Sequence, residues 1–151
     1  AEATPLGRAH ALMALTADRV AYRPGSTDFD VPAAEALAAG EGVCQDQTHV
    51  MIAAARACGW PARYVCGYFR SQKEEGSIAT HAWAELWIDG LGWVGFDATH
   101  RICPTDDHVR LCAGLDAADA APLRGHVEGQ AEETLEAEVA VASLAQSQRQ
   151  Q

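Results

Sequence analysis

The amino-acid sequence predicts an α+β domain in which helices come first and strands follow. Alanine-rich segments with helical spacing fill the chain up to Cys58, and from Ala62 onward aromatic and β-branched residues alternate with glycine-containing polar loops. Helices followed by a run of strands predict a helical layer packed on an antiparallel sheet. The sequence shows no internal repeat and no linker. We therefore expect a single domain over residues 1–144 and a polar tail over residues 145–151.

Two helices are expected in the first part of the chain. Apolar residues recur at helical spacing over residues 6–19. A second, shorter helix is predicted to start from an N-cap at Asp30, with Pro32 in its first turn, and to end at Gly40.

The third predicted helix runs from Cys44 to Cys58. Gly59 supplies a C-terminal stop signal directly after it. Residues 50–55 (VMIAAA) are apolar on most sides, which indicates a buried central helix. Asp46 lies in the first turn, where a carboxylate is favoured by the backbone N–H groups of the helix start.

Four strands are predicted after this helix, at residues 62–69, 81–88, 93–97 and 109–113. Polar loops are expected at residues 71–77 and 116–125. Over residues 135–141 apolar side chains alternate with glutamates, which indicates an edge strand, although the alanine and glutamate content also suits a helix.

The segment THAWAELWIDGLGWVGFDAT (residues 80–99) allows its hairpin register to be predicted. A three-residue loop at 89–91 would set residue 88 opposite residue 92. That register gathers alanine, leucine, isoleucine, valine and phenylalanine on one face. It places His81 and Asp97 on the other face as diagonal neighbours, about 7–8 Å apart between Cα atoms, within reach of a hydrogen bond. A two-residue loop would separate them.

Cys44, His81 and Asp97 together suit thiol chemistry. A cysteine at a helix N-terminus lies in the positive end of the helix dipole, which is expected to lower its pKa. A histidine that accepts its proton, and a carboxylate on the far ring nitrogen, complete the arrangement of thiol hydrolases. For Cys44 taken alone, a buried and unreactive cysteine is the alternative interpretation.

Composition excludes several classes of function. The chain has 11 lysine and arginine residues against 21 aspartate and glutamate residues, a net charge of −10. That charge argues against nucleic acid or an anionic membrane as partner. The sequence shows neither a membrane-spanning apolar run nor a signal-peptide pattern. Five cysteines, an odd number without paired spacing, suit a reducing compartment, so we expect a cytoplasmic protein.

Three blocks of the sequence carry a resemblance to a known family. They are GVCQDQTHVMIAAARACGWPARYVCGYF (residues 42–69), THAWAELWIDGLGWVGFDATH (80–100) and DDHVRLCAGLDAADAAPLRGHVEG (106–129). In this order they resemble the core domain of the bacterial transglutaminase-like superfamily, which includes transglutaminases and microbial cysteine proteases.

The resemblance implies a papain-like α+β fold with Cys44 as nucleophile, His81 as general base and acid, and Asp97 as the residue that orients it. It implies an acyl-enzyme formed on a peptide or protein amide, released to water or to an amine. The backbone N–H of Cys44 would be one oxyanion donor. Many members carry an extra N-terminal β domain. Since this sequence begins at Ala1 rather than Met, we expect it to belong to a longer protein.

The chain departs from the family pattern near the site. Gln47 stands where relatives commonly have an aromatic residue, and residues 97–100 read Asp-Ala-Thr-His where relatives have Asp-Pro-Thr-Asn. Residues 114–117 read Gly-Leu-Asp-Ala where relatives have Gly-Arg-Asp-Tyr. These changes bear on the substrate pocket. The further candidates are Tyr22 or Gln45 as second oxyanion donor and Trp83 and Trp93 as lining of a substrate cleft.

Two interpretations of a different class stay open. His100, Cys103, His108 and Cys112 have the spacing H-x2-C-x4-H-x3-C, which offers enough ligands for a tetrahedral zinc ion. His81 and Asp97 could form a metal pair but would lack a third ligand nearby in sequence. The fold could also serve as a catalytically silent interaction module. Because the spacing matches no zinc module, we expect no metal and no cofactor, and the oligomeric state stays undetermined.

Overall fold

The computed structural model describes residues 4–27, 31–71, 78–125 and 139–140. Its helices and strands are, in chain order, α1 (Pro5–Arg19), β1 (Ala21–Tyr22), α2 (Ala33–Ala39), β2 (Glu41–Gly42), α3 (Cys44–Ala57), β3 (Ala62–Arg70), β4 (Ile78–Ile88), β5 (Gly92–Phe96) and β6 (His108–Gly114). The predicted order of helices followed by strands is confirmed.

Strands β3 to β6 form one antiparallel sheet in the order β5-β4-β3-β6. Ile88 lies opposite Gly92 and Ala84 opposite Phe96, so the predicted hairpin register is confirmed. Its loop, residues 89–91, contains Gly90 with a φ of 85°, a conformation that glycine adopts without steric penalty. The side chains of β4 therefore alternate between the helical layer and the opposite face as predicted.

Helix α3 is the central helix and packs on β3 and β4. Its buried Met51 and Ile52 share one core with Leu86 of β4 and Phe96 of β5. Helix α1 joins the same core through Met13. The apolar run in the middle of α3 thus does what the sequence predicted, since it faces neighbours on more than one side.

The start of helix α2 differs from the prediction. The helix begins at Ala33, and its N-cap is Pro32 rather than Asp30. Proline has its fixed φ of −64° with an extended ψ of 146°, and its carbonyl accepts the N–H groups of Glu35 and Ala36. The rigid proline therefore caps the helix, and the first helical residue is Ala33.

The N-terminus of α3 is fixed by two buried polar side chains. Asp46 Oδ2 accepts the backbone N–H of Val43 at 2.7 Å and the hydroxyl of Thr27 at 2.5 Å, as expected for an acidic residue in the first turn. Gln47 donates from Nε2 to the carbonyl oxygen of Val20 at 2.8 Å. These contacts hold the helix start, and with it Cys44, against α1 and the segment that follows β1.

The remaining differences concern short or extended elements. The sequence did not predict the parallel two-residue pair of β1 and β2. Strand β4 begins three residues earlier than expected, at Ile78, and β3 and β6 are each slightly longer. The 116–125 loop is confirmed. Most of the edge strand predicted at 135–141, most of the 71–77 loop and the polar tail lie outside the described residues.

Within the part of the chain that the structure describes, every helix is too short or too polar to cross a membrane.

Two leucines of the β4–β5 hairpin allow the packing to be tested. Leu86 is fully buried in the core, whereas Leu91 in the hairpin loop is 61% exposed. We expect Leu86→Ala to lower the free energy of unfolding by about 2–5 kcal/mol because it leaves a cavity. The matched control Leu91→Ala should change it by less than about 0.5 kcal/mol. Urea unfolding followed by circular dichroism measures both, and equal losses would contradict the register.

Candidate active site

Cys44 is the first residue of α3, and its sulfur lies where β5 separates from β4. The ladder between these strands ends at Ala84 opposite Phe96. Beyond that point the backbone N–H of Ala82 lies near the Cys44 sulfur and favours its ionised form, as do the N–H groups of Gln45 and of Cys44 itself. The helix start therefore presents the thiol next to the backbone that carries His81.

The ionisation of Cys44 differs from the prediction. Burial raises the pKa of the thiol, and the negative charge of Asp97 raises it further. The backbone N–H groups lower it but do not outweigh the burial. The expectation that the helix dipole alone would lower the pKa is wrong, because removing a thiolate from water costs more than a few N–H groups return. The sulfur needs a proton acceptor to react as a thiolate near neutral pH.

His81 and Asp97 form the hydrogen bond that the register predicted. His81 Nε2 lies 2.7 Å from Asp97 Oδ2, and the two side chains are 6% and 0% exposed. Asp97 directly follows β5 and is held by an isolated bridge to Ile102, with N–H to carbonyl bonds in both directions. The backbone of Asp97 is therefore fixed directly after β5.

Asp97 also accepts hydrogen bonds from two further histidines, which were not expected from the sequence. His100 Nδ1 lies 2.7 Å and His108 Nε2 3.0 Å from the same Oδ2 oxygen. The backbone N–H of His100 donates to Asp97 Oδ1 at 3.2 Å. His100 could have been found from its place three residues after Asp97. His108 has no such signal, because only the pairing of β6 with β3 brings it there.

Aromatic rings enclose the histidine cluster. The ring of Phe69 stacks on His100 with 4.1 Å between centroids and meets His108 edge-on at 4.8 Å. Trp83 meets His108 edge-on at 5.4 Å. Trp83 fits there because Gly67 has no side chain: a Cβ atom at Gly67 would lie 2.8 Å from the indole ring. His81 and His108 are thereby shielded from water, whereas the side chain of His100 stays 35% exposed.

The pKa of the Asp97 carboxyl is held well below its usual range. Burial acts in the opposite direction and raises it, but the hydrogen bonds from His108 and His81 lower it more, and His100 adds to them. The carboxylate is consequently an anion at neutral pH although it has no exposed surface.

Four side chains of this cluster have ligand atoms close enough to suggest a metal. One ligand atom from each of His81, Asp97, His100 and His108 lies within 4.8 Å of the others. Among the described residues Cys103 and Cys112 do not join this group, so the alternative zinc ligand set with the spacing H-x2-C-x4-H-x3-C is wrong. The expectation that His81 and Asp97 lack further ligands nearby is wrong as well. The turn after β5 and the start of β6 determine which side chains meet at Asp97.

The two tryptophans proposed as cleft lining have different environments. Trp83 is 2% exposed and belongs to the buried surroundings of His108, so it offers a substrate little surface. Trp93 is 38% exposed, with the guanidinium of Arg63 4.1 Å from its ring centroid. Both line a cleft of about 370 Å³ on the sheet face away from α3, together with Glu85 and Arg110.

Tyr22 lies near the thiol, as a second oxyanion donor would have to. Burial raises the pKa of its phenol, and the charge of Cys44 raises it further, so the hydroxyl stays protonated and able to donate. The backbone N–H of Gln45 acts on the same sulfur. The structure thus brings both candidates to the surroundings of Cys44.

Sequence comparison places this arrangement in a family. The profile of the Transglutaminase-like superfamily matches residues 1–98, a span that includes Cys44, His81 and Asp97. The chain belongs to the transglutaminase-like superfamily.

Several relatives are uncharacterized. A protein of Mycobacterium leprae is 33% identical over 131 residues, which cover 82% of this chain and 46% of that protein. A protein of Mycobacterium tuberculosis is 39% identical over 114 residues, 69% of this chain and 36% of its own length. A protein-glutamine gamma-glutamyltransferase of Pseudomonas aeruginosa is 31% identical over 84 residues, 51% of this chain and 12% of that enzyme. The chain spans less than half the length of these relatives.

Solved structures confirm the papain-like α+β core. A candidate cysteine protease from Cytophaga hutchinsonii superposes with a TM-score of 0.65 at 36% identity, covering 76% of this chain and 38% of that one. LapG of Legionella pneumophila superposes with a TM-score of 0.56 at 11% identity, covering 76% and 72%. The second likeness is one of fold alone. Membership in the superfamily and the fold that it implied are therefore both established.

The hydrogen bonds of the ionised Asp97 side chain are expected to make the free energy of unfolding depend on pH. Because its folded pKa is depressed, its stabilisation is complete above the unfolded pKa of about 4 and is lost as the pH falls toward the folded value. We expect Asp97→Asn to lower the free energy of unfolding by about 2–3 kcal/mol at neutral pH. Urea unfolding across the acid range should show this difference between the two proteins shrinking below about pH 4. A constant difference would contradict it.

Proposed function

We propose that the protein is a thiol-dependent amide or peptide hydrolase or acyltransferase in which Cys44, His81 and Asp97 form the catalytic triad. The observation that carries the proposal is the buried 2.7 Å hydrogen bond between His81 and Asp97 beside the helix start that presents Cys44. Membership in the transglutaminase-like superfamily supports the same chemistry.

The hydrogen bond to Asp97 selects the ring state that catalysis needs. An ionised carboxylate only accepts, so His81 must donate from Nε2. In the neutral ring this leaves the lone pair on Nδ1, which is the atom available to take the proton of the Cys44 thiol. Asp97 then faces a positively charged imidazolium and stabilises it. Hydrogen bonds keep the Asp97 carboxylate ionised, and its negative charge allows the buried thiolate–imidazolium pair of Cys44 and His81 to form.

The reaction follows from this pair in two steps. The Cys44 sulfur attacks the carbonyl carbon of an amide, and the His81 imidazolium gives its proton to the departing amine as the carbon–nitrogen bond breaks. The resulting thioester is attacked by water or by a second amine, whose proton returns to His81 Nδ1. Release regenerates the thiol. Both outcomes share one acyl-enzyme and differ only in the second nucleophile.

Backbone and phenol donors near Cys44 support the oxyanion that forms during attack. The backbone N–H of Cys44 opens the helix, where such a group is well placed to donate to a tetrahedral oxyanion. The hydroxyl of Tyr22 is the second donor in this proposal. Its raised pKa supports the role, because the phenol remains a donor through the reaction.

A peptide or protein amide is the proposed substrate, and the exposed indole of Trp93 is proposed to contact it outside the immediate surroundings of Cys44. Two relatives, a candidate cysteine protease and a protein-glutamine gamma-glutamyltransferase, are named for acyl chemistry on such amides. The 370 Å³ cleft beside Trp93 has an arginine and a glutamate on its walls. It offers a mixed apolar and charged surface of the kind that a peptide backbone with side chains can occupy.

Alkylation by iodoacetamide tests the triad, and Cys58 is the internal control. Cys58 is an exposed free thiol at the other end of α3. Peptide mapping at about pH 6 should show Cys44 alkylated at least ten times faster than Cys58, because only an ion-paired cysteine is a thiolate at that pH. His81→Ala should abolish the advantage, whereas the control His10→Ala, at an exposed position of α1, should leave it unchanged. Equal rates at both cysteines in the wild type would overturn the proposal.

A second test addresses the oxyanion. With p-nitrophenyl acetate as an activated acyl donor, the wild type should release a stoichiometric burst and carry one acetyl group on Cys44. Tyr22→Phe should lower the acylation rate about 10–100-fold while the alkylation rate of Cys44 stays unchanged, since alkylation forms no oxyanion. The control Tyr68→Phe, which removes a phenol hydroxyl from strand β3, should leave both rates unchanged. A fall in both rates for Tyr22→Phe would instead indicate a structural role.

A further inference from the structure

We infer that His108, with His100 beside it, is a positioning residue that holds Asp97 toward His81, and that it is not a metal ligand. This inference rests on the proposed function of the Cys44, His81 and Asp97 site. It is carried by the hydrogen bonds of both nitrogens of the His108 ring, which fix the place of its proton.

The tautomer of His108 follows from its neighbours. The backbone N–H of Thr105 donates to His108 Nδ1 at 3.0 Å, so Nδ1 carries the lone pair. In a neutral ring the proton is then on Nε2, which lies 3.0 Å from Asp97 Oδ2 and donates to it. The side chain of His108 is 1% exposed, so water does not compete for either nitrogen. Every polar atom of the ring is thereby used.

The same hydrogen bonds argue against a metal ion at the four-residue cluster. A metal bound at His108 Nε2 needs the lone pair on that atom and the proton on Nδ1. The proton on Nδ1 would then face the N–H of Thr105, donor against donor, with only the Thr105 hydroxyl oxygen, 3.4 Å away, left to accept it. A histidine that binds a metal through one ring nitrogen instead donates the N–H of its other ring nitrogen to an oxygen acceptor. The cluster is arranged for hydrogen bonding to a carboxylate.

His100 completes the support of Asp97. Its Nδ1 lies 2.7 Å from Oδ2 and its backbone N–H donates to Oδ1 at 3.2 Å, so one residue binds both carboxylate oxygens. Phe69 stacks on the imidazole of His100 and packs edge-on against that of His108. With both oxygens fixed, the carboxylate cannot rotate away from His81, whose ring direction depends on it.

Two substitutions at position 108 separate positioning from packing. His108→Gln can place an amide N–H near the position of Nε2, whereas His108→Leu keeps an apolar volume and loses the donor. We expect His108→Leu to slow alkylation of Cys44 at least about tenfold, the size of effect seen when supporting hydrogen bonds of a site are lost. His108→Gln should stay within about threefold of the wild type. If His108 had only a packing role, His108→Leu should be the better tolerated of the two variants, because leucine buries no unpaired polar group.

Nitrogen-15 NMR of the wild-type histidine rings gives a test that does not depend on reactivity or on a variant that folds. His108 should show a protonated Nε2 and an unprotonated Nδ1 at neutral pH, and a stoichiometric addition of Zn²⁺ should leave both signals unchanged. A protonated Nδ1, or zinc bound through Nε2, would overturn the inference.

The outcomes distinguish this inference from the proposed function. If Cys44 of the wild type reacts no faster than Cys58, the proposed function fails, and the ring NMR still decides the tautomer of His108. If Cys44 reacts fast and depends on His81, but a folded His108→Leu protein matches the wild type, only the positioning role fails. Equal slowing by glutamine and leucine would also overturn it, because the donor would then not matter.

Discussion

A carboxylate without any exposed surface, Asp97, is the group on which the arrangement of the site depends. A buried charge is strongly destabilising unless hydrogen bonds replace its hydration. Asp97 meets that requirement with three imidazoles and a backbone N–H. Because these donors come from β4, from the turn after β5 and from the start of β6, the carboxylate joins three separate parts of the sheet. The site is therefore also a structural junction.

The helical side of the site is fixed by a second buried polar group, Gln47. Its Nε2 donates to the carbonyl of Val20 at the end of α1, and its Oε1 accepts the hydroxyl of Thr99 at 2.6 Å. Thr99 lies two residues after Asp97. One side chain of α3 thus connects the helix that carries Cys44 with the turn that carries the carboxylate. Cys44 and Asp97 are held in register through this amide, in addition to the packing of α3 on the sheet.

The sequence allowed much of the fold and part of the site to be predicted. The hairpin register followed from alternation and loop length, which are local, and it led correctly to the contact between His81 and Asp97. His108 could not be found in this way, because its position depends on the pairing of β6 with β3 across a long connection. The prediction that the pKa of Cys44 is lowered was wrong for a related reason. The effect of a helix dipole can be predicted from the local sequence. The desolvation of the thiol cannot, because burial depends on the tertiary structure.

The central claim is that Cys44 and His81 form a thiolate–imidazolium pair. The most direct measurement is the thiolate absorbance near 240 nm as a function of pH, taken as the difference between the wild type and Cys44→Ser. The account predicts a thiolate that is already present at about pH 6 and disappears in His81→Ala. A thiolate that appears only above about pH 9, equally in both proteins, would contradict it.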